Sequence, residues 1–164
     1  MVNHLLAIDD VKDDFQQILK WAIEFKRLWK QGDEVALNFM PLDTMTIGSI
    51  YEKPSTRTRV SFEVGISQLG GHSSVLQASD IQLSRGESIS DTARVLSKYV
   101  DLIIVRCFDH QMMIDFAKNS SVPVINGLTD QSHPCQVMAD LLTIEEKKGA
   151  IQNQNILWIG DGNN

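Results

Sequence analysis

The sequence predicts an α/β fold, a parallel β-sheet flanked by helices on both faces in three layers, stopping short of a second α/β domain. Three observations carry this. Helical and strand periodicities alternate along the chain; the run Leu102-Ile103-Ile104-Val105 is too continuously apolar for a strand wetted on one face; and 164 residues are enough to bury a core without disulfides or metals.

In order, Phe15, Ile18, Leu19, Ala22, Phe25 and Trp29 recur at helical spacing and predict an amphipathic helix over residues 10–30, stopped by Gly32. Trp21 and Leu28 fall off that stripe and form a second apolar strip, which a core on one side leaves uncovered. A polar connection leads to a strand over 45–51, a turn at Pro54, and a helix over 56–69 with Ser55 as N-cap and Gly70-Gly71 as its end. A short strand over 72–76 precedes a polar stretch, 77–87, with no periodicity; a loop of that length is a candidate for function or for an interface. Ser88 or Ser90 caps a helix reaching Tyr99, and a buried strand over 101–106 follows. A helix over 109–119 and a strand over 122–125 come next. The loop 126–132 leads to His133, with Pro134 in the first turn of a helix that ends near Gly149. A new strand over 155–159 then runs into Gly160-Asp161-Gly162-Asn163-Asn164, which reads as the opening of another βα unit. The expected organisation is therefore one domain over 1–150 and, over 151–164, the first strand of a missing one.

A formal net charge of -6 argues against nucleic acid or an anionic membrane as partner, so any anion site must be local. No stretch approaches a membrane span, and the N-terminus lacks a basic, apolar leader. Two cysteines, Cys107 and Cys135, fit a reducing compartment and are too few for a disulfide framework or a four-ligand zinc site. The expectation is a cytoplasmic protein.

Ligands of parallel α/β sheets sit outside the carboxyl ends of the strands. Three polar groups map to that edge: Ser55-Thr56-Arg57-Thr58 after the first strand, Arg106 at the end of the third, and His133 to Gln136 after the fourth. Singly, each has a plain structural reading as a helix cap, a strand-end charge, a core histidine or a surface glutamine. Together they describe a site. A helix N-terminus with hydroxyls and guanidinium groups cradles a phosphate. Arg106, Thr58 and a neutral His133 supply donors to a carbonyl oxygen that becomes an oxyanion under attack, and Gln136 suits an amide-like NH2. No nucleophile triad or metal cluster appears, and Cys135 and His133, two apart at a helix start, point in different directions. A site that polarises an acyl phosphate and leaves attack to a second substrate fits these groups. A phosphotransfer receiver lacks its acidic cluster here.

The string Lys53-Pro54-Ser55-Thr56-Arg57-Thr58-Arg59, then Arg106, then His133-Pro134-Cys135-Gln136, resembles the carbamoyl-phosphate-binding half of the aspartate/ornithine carbamoyltransferases across essentially the whole chain. Glu52-Lys53, Cys135 and the closing Trp158 to Asn164 favour the ornithine branch. The resemblance implies that Ser55, Thr56, Arg57 and Thr58 bind the phosphate of carbamoyl phosphate. It gives Arg106 and His133 the carbonyl oxygen, Gln136 the amino group and Asn164 a contact with L-ornithine. It makes Arg57, Arg106 and His133 the catalytic groups. It also implies a homotrimer in which Gln82 reaches a neighbour's site, and carbamoyl transfer to the δ-amine of ornithine without metal or organic cofactor. In that family a C-terminal helix returns over the first domain, which gives the strip of Trp21 and Leu28 a cover. Because the second domain is absent, the expectation is carbamoyl phosphate binding with little or no turnover. An aspartate-type carbamoyltransferase and a non-catalytic trimerising anion-binding module are the alternatives.

Overall fold

The computed structural model describes residues 2–77 and 86–160. Four strands, β1 (Thr46–Tyr51), β2 (His72–Gln77), β3 (Leu102–Arg106) and β4 (Val124–Leu128), form one parallel sheet in the order β2-β1-β3-β4. The helices are α1 (Phe15–Gln31), α2 (Glu34–Leu37), α3 (Thr56–Gln68), α4 (Ile89–Leu96), α5 (His110–Asn119) and α6 (Pro134–Lys148). Successive strand residues face opposite ways, so the sheet feeds two apolar layers. On one face Ile50, Ile103, Val105 and Val124 meet Ala93 of α4 and Phe116 of α5. On the other, Ile47 and Ile104 meet Phe62 and Ile66 of α3. Each such side chain withdrawn from water contributes roughly 1.5–3 kcal/mol, which is why this double burial dictates the continuous apolar strands.

From β1 the chain turns one way to make β2, then crosses back to lay β3 on the other side of β1. Strand ends at such a reversal open a crevice. Tyr51 is level with Gln77 on one side and Arg106 on the other, so the crevice between β1 and β3 opens directly above Arg106.

The three-layer parallel fold expected from the sequence is the one observed, with differences at its margins. Residues 10–14 are not part of the first helix. Asp10 instead accepts hydrogen bonds from the backbone N–H groups of Leu6 and Ala7, holding a 3₁₀ turn at Ile8–Val11. The connection after Gly32 contains α2, capped by Asp33, whose side chain accepts from Val35 N and Ala36 N. Helix α4 ends at Leu96 rather than Tyr99, in a turn where Ser97 Oγ donates to Ala93 O. Strand β4 begins at Val124 and continues to Leu128, past the point where a loop was expected, because Asn126 is polar yet fully buried and bonded. The expected strand over 155–159 does not form. Its side chains lie open, Ile159 at 86% exposure, and no described strand pairs with that backbone.

Gly70 closes α3 at φ 85°, and a Cβ there would lie 2.7 Å from Met40 Cβ. Only glycine combines that backbone with that approach. Trp21 is 66% exposed, and with Phe25, Leu28 and Phe39 it lines an open apolar groove of about 620 Å³, so the second strip predicted on the first helix is uncovered here.

Candidate functional site

The site starts at the first turn of α3. Ser55 is extended, with φ -158°, and its Oγ accepts from Thr58 N at 3.3 Å, which fixes the helix start just after Pro54. Opening-turn N–H groups have no carbonyl four residues back, so they face outward and favour an anion. Thr56 and Arg57 are exposed at this end, and Thr58 is half-buried. The two arginines differ. Arg59 is committed to Glu63 one turn on, at 2.7 Å, whereas Arg57 makes no hydrogen bond or ion pair among the described residues.

Arg106, at the end of β3, joins this turn to the rest of the edge. Its Nη1 donates to Thr58 Oγ1 at 3.1 Å and to Gly127 O at 3.3 Å, while its Nε is buried with no partner among the described residues. Burial lowers its pKa, but a guanidinium remains charged at neutral pH. The segment between β1 and α3 is strapped to the same strand end. Glu52 N donates to Arg106 O, Glu52 Oε2 accepts from Phe108 N at 2.8 Å, and Lys53 Nζ sits 4.5 Å from the Phe108 ring centroid.

His133 is the residue before α6, with Pro134 buried in the first turn. Its side chain does not cap the helix, and its Nδ1 is buried without a partner among the described residues. Burial, and then the nearby positive charge of Arg106, hold its pKa below 6.5, so the imidazole is neutral at pH 7. A neutral ring that cannot easily take a second proton is the form that polarises a carbonyl by donating one hydrogen bond.

The structure thus brings Ser55, Thr56, Arg57, Thr58, Arg106 and His133 to one sheet edge. Gln136 lies one turn into α6, exposed, with its Nε2 donating to Asp140 Oδ1 at 2.8 Å rather than to this cluster. Gln82 and Asn164 lie outside the described residues. Burial pushes the Cys135 thiol up to about 11 and the Cys107 thiol up to about 12, the latter helped by Glu52. Neither is a thiolate at neutral pH, which removes a nucleophilic role. Sequence reasoning missed two groups, the Gly127 carbonyl that receives Arg106 and the Asn126 side chain beside it. The sequence predicts a loop over 126–132, because nothing local to Asn126 signals that it is buried.

Groups suited to an anion at a helix start thus lie on the same sheet edge as a part-buried guanidinium and a neutral histidine. Residues 3–146 match the model of the aspartate/ornithine carbamoyltransferase carbamoyl-P binding domain, and the chain belongs to that family. Relatives named ornithine carbamoyltransferase match it over nearly its whole length. It is 51% identical over 162 residues to an ornithine carbamoyltransferase of Anoxybacillus flavithermus, covering 99% of this chain and 50% of that one. It is 54% identical over 156 residues to one of Thermococcus kodakarensis, covering 95% and 48%. The solved ornithine carbamoyltransferase of Pyrococcus furiosus superposes with a TM-score of 0.92 at 50% identity, covering 99% of this chain and 51% of that one. The chain therefore spans about half the length of the relatives it matches.

Proposed function

We propose that the chain is the carbamoyl-phosphate-binding part of an ornithine carbamoyltransferase, which transfers the carbamoyl group to the δ-amine of L-ornithine to give L-citrulline and phosphate. The observation that carries this reading is the link from Thr58 through Arg106 to Gly127, which sets a part-buried guanidinium beside the helix start and near the neutral His133. Ser55, Thr56, Arg57 and Thr58 hold the phosphate. Arg106 and His133 donate to the carbonyl oxygen. As the amine attacks the carbonyl carbon, negative charge grows on that oxygen, and donors fixed beforehand stabilise the tetrahedral intermediate without reorganising. Collapse of the intermediate expels phosphate into the same positive turn.

In this reading Gln136 leaves Asp140 to hold the carbamoyl NH2, Gln82 serves a neighbouring subunit of a homotrimer, and Asn164 contacts ornithine. Residues 1–150 form the carbamoyl phosphate unit, and 151–164 lead into the ornithine-binding unit. The enzyme works in the cytoplasm, in arginine metabolism. Calorimetric titration tests the core of the reading: carbamoyl phosphate should bind the chain more tightly than inorganic phosphate does. Equal affinities would mean that the carbonyl donors are misassigned.

A further inference from the structure

Asn126 is fully buried in β4, a strand otherwise built of apolar residues and glycine, and its side chain is saturated. Nδ2 donates to Leu6 O at 2.8 Å and to Ser132 O at 3.2 Å, and Oδ1 accepts from Leu128 N at 2.8 Å. Two carbonyls and one N–H as partners leave only one orientation for the amide. Each bond reaches a different segment. Leu6 belongs to the N-terminal strip that runs beside β4, where Leu5 N donates to Val124 O and Asn126 N donates to Leu5 O. Ser132 ends the turn that delivers His133. Leu128 closes a break in the β3–β4 ladder.

That break aims a functional group. The register runs from Val105 opposite Asn126 to Arg106 opposite Leu128, so Gly127 is an extra residue. Its carbonyl is thereby turned toward Arg106 Nη1. Leu128 holds φ 144°, a conformation that side-chain-bearing residues avoid, and the Asn126 Oδ1 bond to its N–H spans this strained step. A Cβ on Gly127 would lie 3.3 Å from Ile104 Cγ2, so the bulge is seated closely on β3.

Resting on the carbamoyl phosphate reading above, we infer that Asn126 is a positioning residue for both carbonyl donors. One amide fixes the bulge that anchors Arg106 and the turn that presents His133. It makes no hydrogen bond to α3, so the phosphate-binding turn does not depend on it directly. Truncating it therefore loosens the carbonyl end while sparing the phosphate end.

The test compares two stable probes on the unaltered chain and on Asn126→Ser: methylphosphonate, which has no carbonyl, and phosphonoacetamide, which has both the carbonyl and the NH2. Loss of well-placed donors should weaken phosphonoacetamide about tenfold in the variant and leave methylphosphonate within about twofold. Equal weakening of both would make Asn126 merely structural and overturn the inference. A preference for phosphonoacetamide that the variant keeps overturns it alone, whereas an unaltered chain with no such preference overturns the carbamoyl phosphate reading as well. Because a fully buried asparagine is a hard residue to replace, amide exchange on the unaltered chain gives a second check. Phosphonoacetamide should slow exchange at Leu128 N–H and methylphosphonate should not; equal protection by the two probes also defeats the assignment.

Discussion

Arg57 and Arg59 sit two residues apart at the start of the same helix, and the structure gives them opposite fates. The prediction is that Arg57→Ala abolishes most of the phosphate affinity and none of the stability, while Arg59→Ala does the reverse on a smaller scale. Among the described residues Arg57 has no partner to lose on truncation. In the phosphate complex it supplies a charge-assisted contact of about 2 kcal/mol. With roughly 1.4 kcal/mol per tenfold, its removal raises Kd about thirtyfold. Arg59 is 47% exposed in its pair with 34%-exposed Glu63, and such a pair one turn apart contributes about 0.3–0.5 kcal/mol. Its loss should lower Tm by about 1 °C and leave Kd unchanged. Calorimetry with methylphosphonate in low salt reads the first quantity and thermal melting the second. Since Arg57 is exposed, the gap in Kd should narrow as salt rises. If Arg59→Ala loses as much affinity as Arg57→Ala, the cradle is a diffuse basic patch and the reasoning from helix geometry fails.

Three further outcomes follow from the same structure. Gly70→Ala should destabilise the chain by about 2–3 kcal/mol, because its φ of 85° and the 2.7 Å approach to Met40 act together; a change in the urea midpoint equivalent to less than about 1 kcal/mol would contradict that geometry. His133 and His4 are both held below 6.5 by burial, so the unfolded chain binds protons more readily than the folded one. Stability should be full above pH 6.5 and fall as pH drops from there toward the lowered folded values, with His133→Gln removing only part of the slope, since protonated His4 still loses its bond from Val124 N; a slope that the substitution leaves intact would place His133 in water. With thiols pushed up to about 11 and about 12, Cys135 and Cys107 should resist iodoacetamide at about pH 8 until the chain is unfolded. Rapid labelling of Cys135 in the folded chain would show that α6 opens at its start.

Strand and helix order were legible because burial on both faces leaves a strong local signature: Leu102 to Val105 and Phe116 announce themselves by composition. The start of α3 is legible because Ser55 caps it through a bond to a neighbour three residues on. What escaped was set by distant partners. Nothing near Asn126 foretells that Leu6 and Ser132, each distant in sequence or across a turn, will satisfy its amide, so the sequence predicts a loop where a buried strand residue sits. Asp10 was absorbed into a helix because its acceptor role depends on the chain doubling back to Leu6. Residues 155–159 have a strand's composition, but a strand exists only where a neighbour accepts its hydrogen bonds. The two fates of Arg57 and Arg59 were equally hidden, since an S-T-R-T-R string does not state which arginine Glu63 will claim.

On the proposed reading the two ends of the site use different physics, and this decides what the protein can discriminate. The phosphate end is a solvent-facing helix start with an exposed Arg57, where attraction is long-ranged, screened and indifferent to what the phosphate carries. The carbonyl end holds a buried guanidinium Nε and a buried imidazole Nδ1, both without a partner among the described residues, in a setting where each donor interacts more strongly than in water. On that reading capture belongs to α3, and recognition of the acyl group to β3 and the start of α6. Inorganic phosphate satisfies only the first. The selectivity for a carbonyl then falls on Arg106 and His133, beside the ladder break at Gly127 and the turn ending at Ser132.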